Sequence, residues 1–195
     1  ATSSNEEKKV KRVVVSTHTI SLQEQLLNKD LPVLNSVIPR EFTTMLAKGR
    51  GNYLSLRRMA RAVERAGKLM FEDEEVRQLR AILKWSRETT DGSRSDLDFQ
   101  PYGSVWDEVV SDSGNCLGKK CPTHDECFFY RARRRAKHAN IILVNHALFF
   151  SDLALRQMGA KVLPDYDVVI FDEAHTVEQV AGDHLGLRVS SGQVD

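Results

Sequence analysis

Val168-Val169-Ile170-Phe171-Asp172-Glu173-Ala174-His175 places four β-branched or aromatic residues directly before two carboxylates and, two positions on, an imidazole. A short, continuous, unalternated apolar run is the pattern of a strand buried on both faces of a parallel sheet. Two runs of the same kind stand upstream, Val13-Val14-Val15 and Ile141-Ile142-Leu143-Val144. Each halts at a polar cluster, Ser16-Thr17-His18-Thr19 after the first and Asn145-His146 after the second. Ligands of open α/β sheets bind beyond the carboxyl ends of strands, so three such ends predict one functional edge. After the first cluster, Ser21 with Glu24 three residues on predicts a capping box. It would open a helix from Leu22 to about Lys29, which Pro32 would help to end.

The paired carboxylates have a specific use in nucleotide hydrolysis. Asp172 is expected to hold Mg²⁺ through water, and Glu173 to orient or deprotonate the water that attacks the γ-phosphate of ATP. Four letters recur by chance, and acidic residues also suit any helix N-terminus. The strand immediately before them and the two further polar strand ends favour the hydrolytic reading.

More than a hundred residues separate the first and second runs, far more than one strand-helix-strand crossover needs. An inserted domain is therefore predicted, entered near Lys48-Gly49-Arg50-Gly51-Asn52-Tyr53 and closed by a basic run before Ile141. Leu56, Met59, Val63 and Met70 fall on one helical face. Val76, Leu79, Ile82 and Leu83 mark a second helix whose first turn is acidic (Glu72 to Glu75). Thr89 to Gly103, with Asp91-Gly92-Ser93 and Pro101, reads as a loop.

Cys116, Cys121 and Cys127 are separated by four and by five residues, in a stretch whose Gly114, Gly118 and Pro122 can bend around a metal. An iron–sulfur cluster, a zinc ion with His124 as fourth ligand, and plain structural thiols all accommodate that spacing. Phe128-Phe129-Tyr130-Arg131-Ala132-Arg133-Arg134-Arg135-Ala136-Lys137-His138 comes next, with no acidic residue until Asp152. Arg133, Arg134 and Arg135 are candidates for the phosphates of a nucleic acid; the aromatics either stack on bases or are buried under the thiols.

Composition narrows the class without deciding it. The chain has 195 residues, 41% hydrophobic and 28% charged, enough for a globular core. Its 28 basic and 27 acidic residues leave a net charge of +1, so an anionic partner must meet a local cluster. An odd count of three cysteines argues against a disulfide framework. No eighteen-residue apolar run and no signal core occur, so a cytoplasmic protein without a membrane partner is expected. The chain lacks an initiator Met and reaches a strand almost at once, which predicts a piece of a longer protein.

Val14-Val15-Ser16-Thr17-His18-Thr19-Ile20-Ser21-Leu22-Gln23-Glu24-Gln25-Leu26 resembles motif Ia of DinG-type superfamily 2 helicases. Lys48-Gly49-Arg50-Gly51-Asn52-Tyr53-Leu54 resembles the entry to their iron–sulfur domain. Asn145-His146-Ala147-Leu148-Phe149 and the Asp-Glu-Ala-His box at Asp172 to His175 resemble the family's later motifs, so the matching stretches, in order, span nearly the whole chain. The sequence is thus similar to DinG/XPD-type iron–sulfur DNA helicases. The resemblance implies an α/β fold in which a RecA-like parallel sheet is interrupted by a mainly helical iron–sulfur domain. Residues 1–47 would begin the first motor domain, 48–138 would form the insertion, 139–178 would resume the motor, and 179–195 would start an Arch-type insertion.

ATP, Mg²⁺ and a 4Fe–4S cluster are the cofactors so implied, and single-stranded or forked DNA the partner. The activity implied is ATP-dependent 5′-to-3′ unwinding in DNA repair or in removal of DNA structures. Thr17 and Gln23 would lie near the DNA backbone or help position the motif that does, and His175 would link nucleotide to DNA. Lys48 and Arg50, beside the family's first cysteine, join the candidate DNA contacts. That cysteine is Ser55 in this chain. A hydroxyl is harder to deprotonate than a thiol and a poorer match to iron, so a labile cluster, a three-iron form or no cluster are the outcomes to separate. No Gly-x-x-x-x-Gly-Lys-Ser/Thr occurs in the 195 residues. In the family that loop precedes motif Ia, so these residues alone are expected to be inactive. A non-catalytic nucleic-acid-binding relative with a decayed motor, and a relative fused to a nuclease, are the competing readings.

Overall fold

The three apolar runs are strands, and a fourth joins them. The computed structural model describes residues 12–67 and 73–185. Four parallel strands, β1 (Val13–Thr17), β2 (Thr44–Leu46), β3 (Ile141–Asn145) and β4 (Val168–Phe171), form one sheet in the order β2-β3-β1-β4. Val14 stands opposite Ile142 on one side and Val169 on the other. Thr17 stands opposite Asn145, and Ser16 opposite Phe171, so the three polar clusters end level with one another. β2 has no apolar run to announce it, being three residues at the sheet edge.

The chain divides into two compact units. The first comprises residues up to Lys48 and from Arg135 on, the second Gly49–Arg134. In the first, Val14, Ile142 and Val144 pack with Phe149, Phe150 and Leu163 as a buried core. The Arg12 guanidinium donates to the carbonyls of Ala139 (3.0 Å), Asp165 (2.5 Å) and Lys137 (2.6 Å), tying together the segments that enter β3, β4 and β1.

The helix after β1 departs from the expected capping box. Thr19, extended at φ −117°, is the N-cap of α1 (Ile20–Gln25), and its hydroxyl accepts the Leu22 N–H at 3.3 Å. Ser21 is already helical, because the strand delivers Thr19 in the extended conformation a cap requires. Pro32 does not end the helix either. Leu26–Asp30 widens into a π-helical turn, and α2 (Leu31–Val37) then carries Pro32 in its first turn, where a missing N–H costs little.

In the second unit α3 (Leu56–Ala66) buries Met59 and Ala62, and α4 (Glu74–Glu88) buries Val76, Leu79 and Ile82 on one face. Asp73 caps α4 by accepting the Val76 N–H at 2.9 Å. Met70 and Glu72, expected on these helices, lie outside the described residues. The expected loop from Thr89 holds a short 3-10 turn at Arg94–Asp96 and gives way to α5 (Gly103–Val109). The α5 helix buries Val105, Trp106 and Val109, and the Arg58 guanidinium donates to the carbonyls of Asp107, Glu108 and Val110 at its C-terminal end. Such a cation satisfies carbonyls that lack helical partners.

α6 (Phe128–His138) carries the chain back to β3, α7 (His146–Gln157) follows β3, and α8 (Val177–Leu185) follows β4. Helix α8 runs unbroken through the expected 178/179 boundary, because Val177, Val180 and Ala181 pack on the core; residues 186–195 lie outside the described ones. Between α7 and β4 the buried Asp152 carboxylate accepts from the Arg156 guanidinium (2.6 Å) and from the N–H groups of Val162 (2.6 Å) and Leu163 (2.7 Å). That network fixes the approach to β4.

Gly92 has a left-handed backbone (φ +65°), and a Cβ there would lie 2.1 Å from Cγ of the buried Phe128 ring. Gly92→Ala combines an unfavourable φ with an immovable clash, so a loss of about 3 kcal/mol in stability is expected. Urea unfolding read by tryptophan fluorescence reports it directly, since Trp85 and Trp106 both belong to this unit. A midpoint within error of the parent would contradict the packing described.

Candidate functional site

Strand geometry, not sequence proximity, brings the first unit's polar residues together. Asp172 follows β4 and donates its backbone N–H to the Ser16 carbonyl at 2.9 Å, so the acidic pair begins where sheet pairing with β1 ends. Asp172 is exposed, and one of its carboxylate oxygens accepts the Glu173 N–H at 3.0 Å. Glu173 adopts the left-handed conformation (φ 52°, ψ 45°), the one non-glycine residue with positive φ among those described. A side chain held in that sparsely populated region marks a turn whose surroundings dictate it. Thr176 closes the turn by donating its N–H and its hydroxyl to the Glu173 carbonyl, each at 3.0 Å. His175 is exposed and its Nδ1 lies 3.5 Å from the Glu173 carboxylate. Asp172 is thus free to take a hydrated cation, with Glu173 one residue further along the same turn.

Thr17 and Gln23 are buried, with 0% and 2% of their surface exposed. The Thr17 hydroxyl donates to the Thr19 carbonyl at 3.2 Å. Buried as they are, neither can touch a phosphate as placed. His146, the first residue of α7, is 1% exposed, and its Nδ1 shares a 2.7 Å hydrogen bond with the hydroxyl of the fully buried Ser16. Its ring lies 6.2 Å from that of His18 and 6.0 Å from that of Phe171, centre to centre. Burial first, then the neighbouring His18, hold this imidazole below the ordinary histidine value; the backbone and charge of Asp172 and the backbone of Glu173 pull the other way. Gln23 Nε2 and His146 Nε2 are the buried side-chain atoms without a hydrogen-bond partner among the described residues. The sequence marks His146 only as a polar residue ending an aliphatic run, and nothing in it shows the link to Ser16.

In the second unit the three half-buried cysteines are free thiols that line one cavity with Ser55, His124 and Tyr130, an opening of about 30 Å³. Sixty residues separate Ser55 from Cys116, yet α3 begins at this cavity because Ser55 is its N-cap, its hydroxyl accepting the Arg58 N–H at 3.4 Å. Cys116 accepts the Gly118 N–H at 3.4 Å, and its sulfur lies 3.7 Å from the Tyr130 hydroxyl. Burial raises the Cys116 thiol, but the Gly118 N–H, the Tyr130 hydroxyl and Arg50 together outweigh it and leave the thiol below its ordinary value. His124 donates from Nδ1 to the Gly118 carbonyl at 3.0 Å, since a carbonyl can only accept. Among the described residues no three His, Cys, Asp or Glu side chains converge tightly enough to hold a metal ion as they stand. The donors nevertheless suit iron in kind, with three soft thiols and a hydroxyl around one opening.

Of the basic candidates, Arg134 and Arg135 are exposed, and Arg133 and Lys48 half-buried. Arg134 donates to the Asp125 carbonyl at 2.8 Å, and Arg133 lies 5.8 Å from the Phe129 ring centre. Arg50 turns inward, its guanidinium 3.8 Å above the Phe129 ring and one nitrogen 3.5 Å from the Ser111 hydroxyl. Phe128 and Phe129 are buried, so they serve the core and not base stacking.

A parallel sheet with an acidic pair beyond one strand and polar ends on its neighbours is consistent with part of a RecA-like α/β domain. The DEAD_2 family profile matches residues 107–194. The ATP-dependent DNA helicase YoaA of Escherichia coli is 36% identical over 186 residues, covering 94% of this chain and 29% of that protein. The ATP-dependent helicase DinG of Mycobacterium tuberculosis is 36% identical over 179 residues, 84% of this chain and 26% of that protein. A Bacillus subtilis relative, the 3′-5′ exonuclease DinG, is 30% identical over 187 residues, 94% of this chain and 19% of that protein. These matches support the similarity of the chain to part of a DinG/XPD-like helicase. The chain spans less than a third of the length of these curated relatives.

Proposed function

We propose that the protein of which this chain is part is an ATP-dependent DNA helicase, moving 5′-to-3′ on single-stranded or forked DNA in the cytoplasm, in DNA repair or the removal of DNA structures. The observation that carries the reading is the Asp172–Glu173 turn, anchored on β1 through the Ser16 carbonyl and level with the ends of β1 and β3. Asp172 would bind Mg²⁺ through water and Glu173 would orient the attacking water, with His175 passing the state of the site to the DNA side. The phosphate loop would come from chain outside these residues. The outer edge of β4 exposes Val168, Ile170 and Phe171 (38%, 51% and 38%), an apolar edge that a further strand would cover.

Residues 48–138 would form the iron–sulfur domain and 179–195 would lead into an Arch-type insertion. Cys116, Cys121 and Cys127 would hold a 4Fe–4S cluster with Ser55 at the fourth position, the cavity between them widening to admit it. Such a cluster, when bound, crosslinks the cysteine loop to the start of α3. Thr17 and Gln23 would shape the β1 end from within. Lys48, Arg133, Arg134 and Arg135 would follow the DNA backbone, while Arg50 serves the cavity wall.

The deciding experiment uses the complete protein, with ATP hydrolysis measured with and without single-stranded DNA, and strand displacement from forks bearing a 5′ or a 3′ tail. DNA-stimulated hydrolysis with unwinding of the 5′-tailed fork is expected. Tight DNA binding without hydrolysis would instead establish the non-catalytic relative. The charge assignment has its own test. Replacing Arg133, Arg134 and Arg135 by Gln should weaken single-stranded DNA binding for all sequences and reduce the slope of log affinity against log salt by about 2, as roughly 0.7 per lost phosphate contact requires. An unchanged slope would make these arginines scaffold.

A further inference from the structure

We propose that His146 is a positioning residue that transmits the state of the β1 end to the Asp172–Glu173 turn through its ring Nε2. The inference rests on the helicase reading and adds a link which that reading does not contain. Ser16 is the pivot, because its carbonyl accepts the Asp172 N–H at 2.9 Å while its hydroxyl shares the 2.7 Å bond with His146 Nδ1. One fully buried residue of β1 thereby holds the ends of β4 and β3 together. The imidazole is clamped on its Nδ1 side and packs near Phe171, the residue before Asp172. Its Nε2 is buried and, among the described residues, unpartnered, a state that native interiors rarely tolerate without a use.

The adjoining turn supplies the use. Glu173 is held in a left-handed conformation of the kind that surroundings must impose, and relaxing it into a commoner backbone region would turn its peptide. With the Ser16 hydroxyl donating to Nδ1 the imidazole proton sits on Nε2, and an Asp172 or Glu173 carbonyl, already near enough to favour the protonated ring, would satisfy it by turning further toward it. A site with two discrete arrangements is what coupling between ligands requires. Residues Thr17, His18 and Thr19 continue from Ser16 on the side read as DNA-facing. A shift of β1 on DNA engagement would therefore reach the carboxylate turn through Ser16 and His146, making hydrolysis depend on DNA.

The test compares DNA-stimulated with unstimulated ATP hydrolysis in the complete protein, alongside single-stranded DNA affinity and melting temperature. Asn in place of His146 keeps a polar atom near the Nδ1 position and removes Nε2; Gln reaches the Nε2 position. His146→Asn should lower the stimulation ratio at least tenfold with DNA affinity within twofold of the parent, and His146→Gln, which returns a polar group at the Nε2 position without the bond to Ser16, should recover part of that loss. Ser16→Ala, which keeps Nε2 but cuts the anchor of the imidazole, should lower the ratio to about the level of His146→Gln, and it decides the matter if His146→Asn fails to fold. An unchanged ratio in Ser16→Ala, or equal losses in the Asn and Gln variants, overturns the proposal. Absence of any DNA-stimulated hydrolysis in the unmodified protein overturns the helicase reading, and this inference with it.

Discussion

Glu173→Gln in the complete protein is expected to leave ATP and DNA binding near normal while slowing hydrolysis by about 10²–10⁴, the range over which one positioned proton acceptor acts. At 1.36 kcal/mol per tenfold this corresponds to about 3–5 kcal/mol of lost transition-state stabilisation. The substitution is nearly isosteric and leaves the backbone features that define the turn, the Asp172 contact to the Glu173 N–H and the Thr176 contacts to its carbonyl. Asp172, the expected Mg²⁺ residue, is untouched, so the Mg²⁺ requirement for nucleotide binding should not move. Asp172→Asn, in contrast, should raise the Mg²⁺ concentration needed before any turnover is seen. Single-turnover hydrolysis with saturating single-stranded DNA separates the two, and a Glu173→Gln rate within a few-fold of the parent would remove Glu173 from the water-orienting role.

That prediction could be framed from sequence because strands buried on both faces leave continuous apolar runs, and their ends are then visible as abrupt polar residues. β1 and β3 were legible for this reason. β4 shows the same apolar run, and with it the position of Asp172 and Glu173, but the burial expected on both faces is absent, because β4 stands at the sheet edge with Val168, Ile170 and Phe171 exposed. β2 was not legible, since Thr44-Met45-Leu46 is too short to show a period and lies at the sheet edge. Helix α5 was hidden behind Pro101 and Gly103, residues that normally signal a turn but here stand at the entry to a helix. The capping box failed because Ser21-x-x-Glu24 satisfies a local rule that the end of β1 pre-empts two residues earlier, at Thr19.

Burial was the least legible property of the candidate site. Hydroxyl and amide side chains such as Thr17 and Gln23 look like surface groups in one dimension, and only the fold places them inside, Thr17 opposite Asn145 of β3 and Gln23 on α1, which packs against β1 and β3. The same fold turns His146 from a polar strand end into part of a hydrogen-bonded chain across three strand ends. Arg50 is a further case. Its place in Lys48-Gly49-Arg50-Gly51 suggests a phosphate contact, but the Phe129 ring 3.8 Å away holds it.

Ser55→Cys is expected to raise the iron content of the anaerobically purified complete protein from well below stoichiometric to about four irons per chain, with a matching rise in the charge-transfer absorbance that colours such clusters brown. Ser55 and the three cysteines line one cavity, so a thiol at position 55 borders the same space as the other three, and that space would have to widen to admit a cluster. Its present hydroxyl caps that helix by accepting the Arg58 N–H, and a neutral acceptor committed to a backbone donor is a weak ligand for iron. A cysteine caps less well, so the substitution should cost the apoprotein a few tenths to about 1 kcal/mol of stability, and cluster binding should more than restore it. These opposite shifts in apo and reconstituted melting temperature provide a readout independent of helicase activity. Iron content unchanged by Ser55→Cys would exclude position 55 as a ligand site. His124 would then be the next residue to replace, because its Nδ1 is already committed to the Gly118 carbonyl and its Nε2 is the nitrogen left to meet a metal in the same cavity.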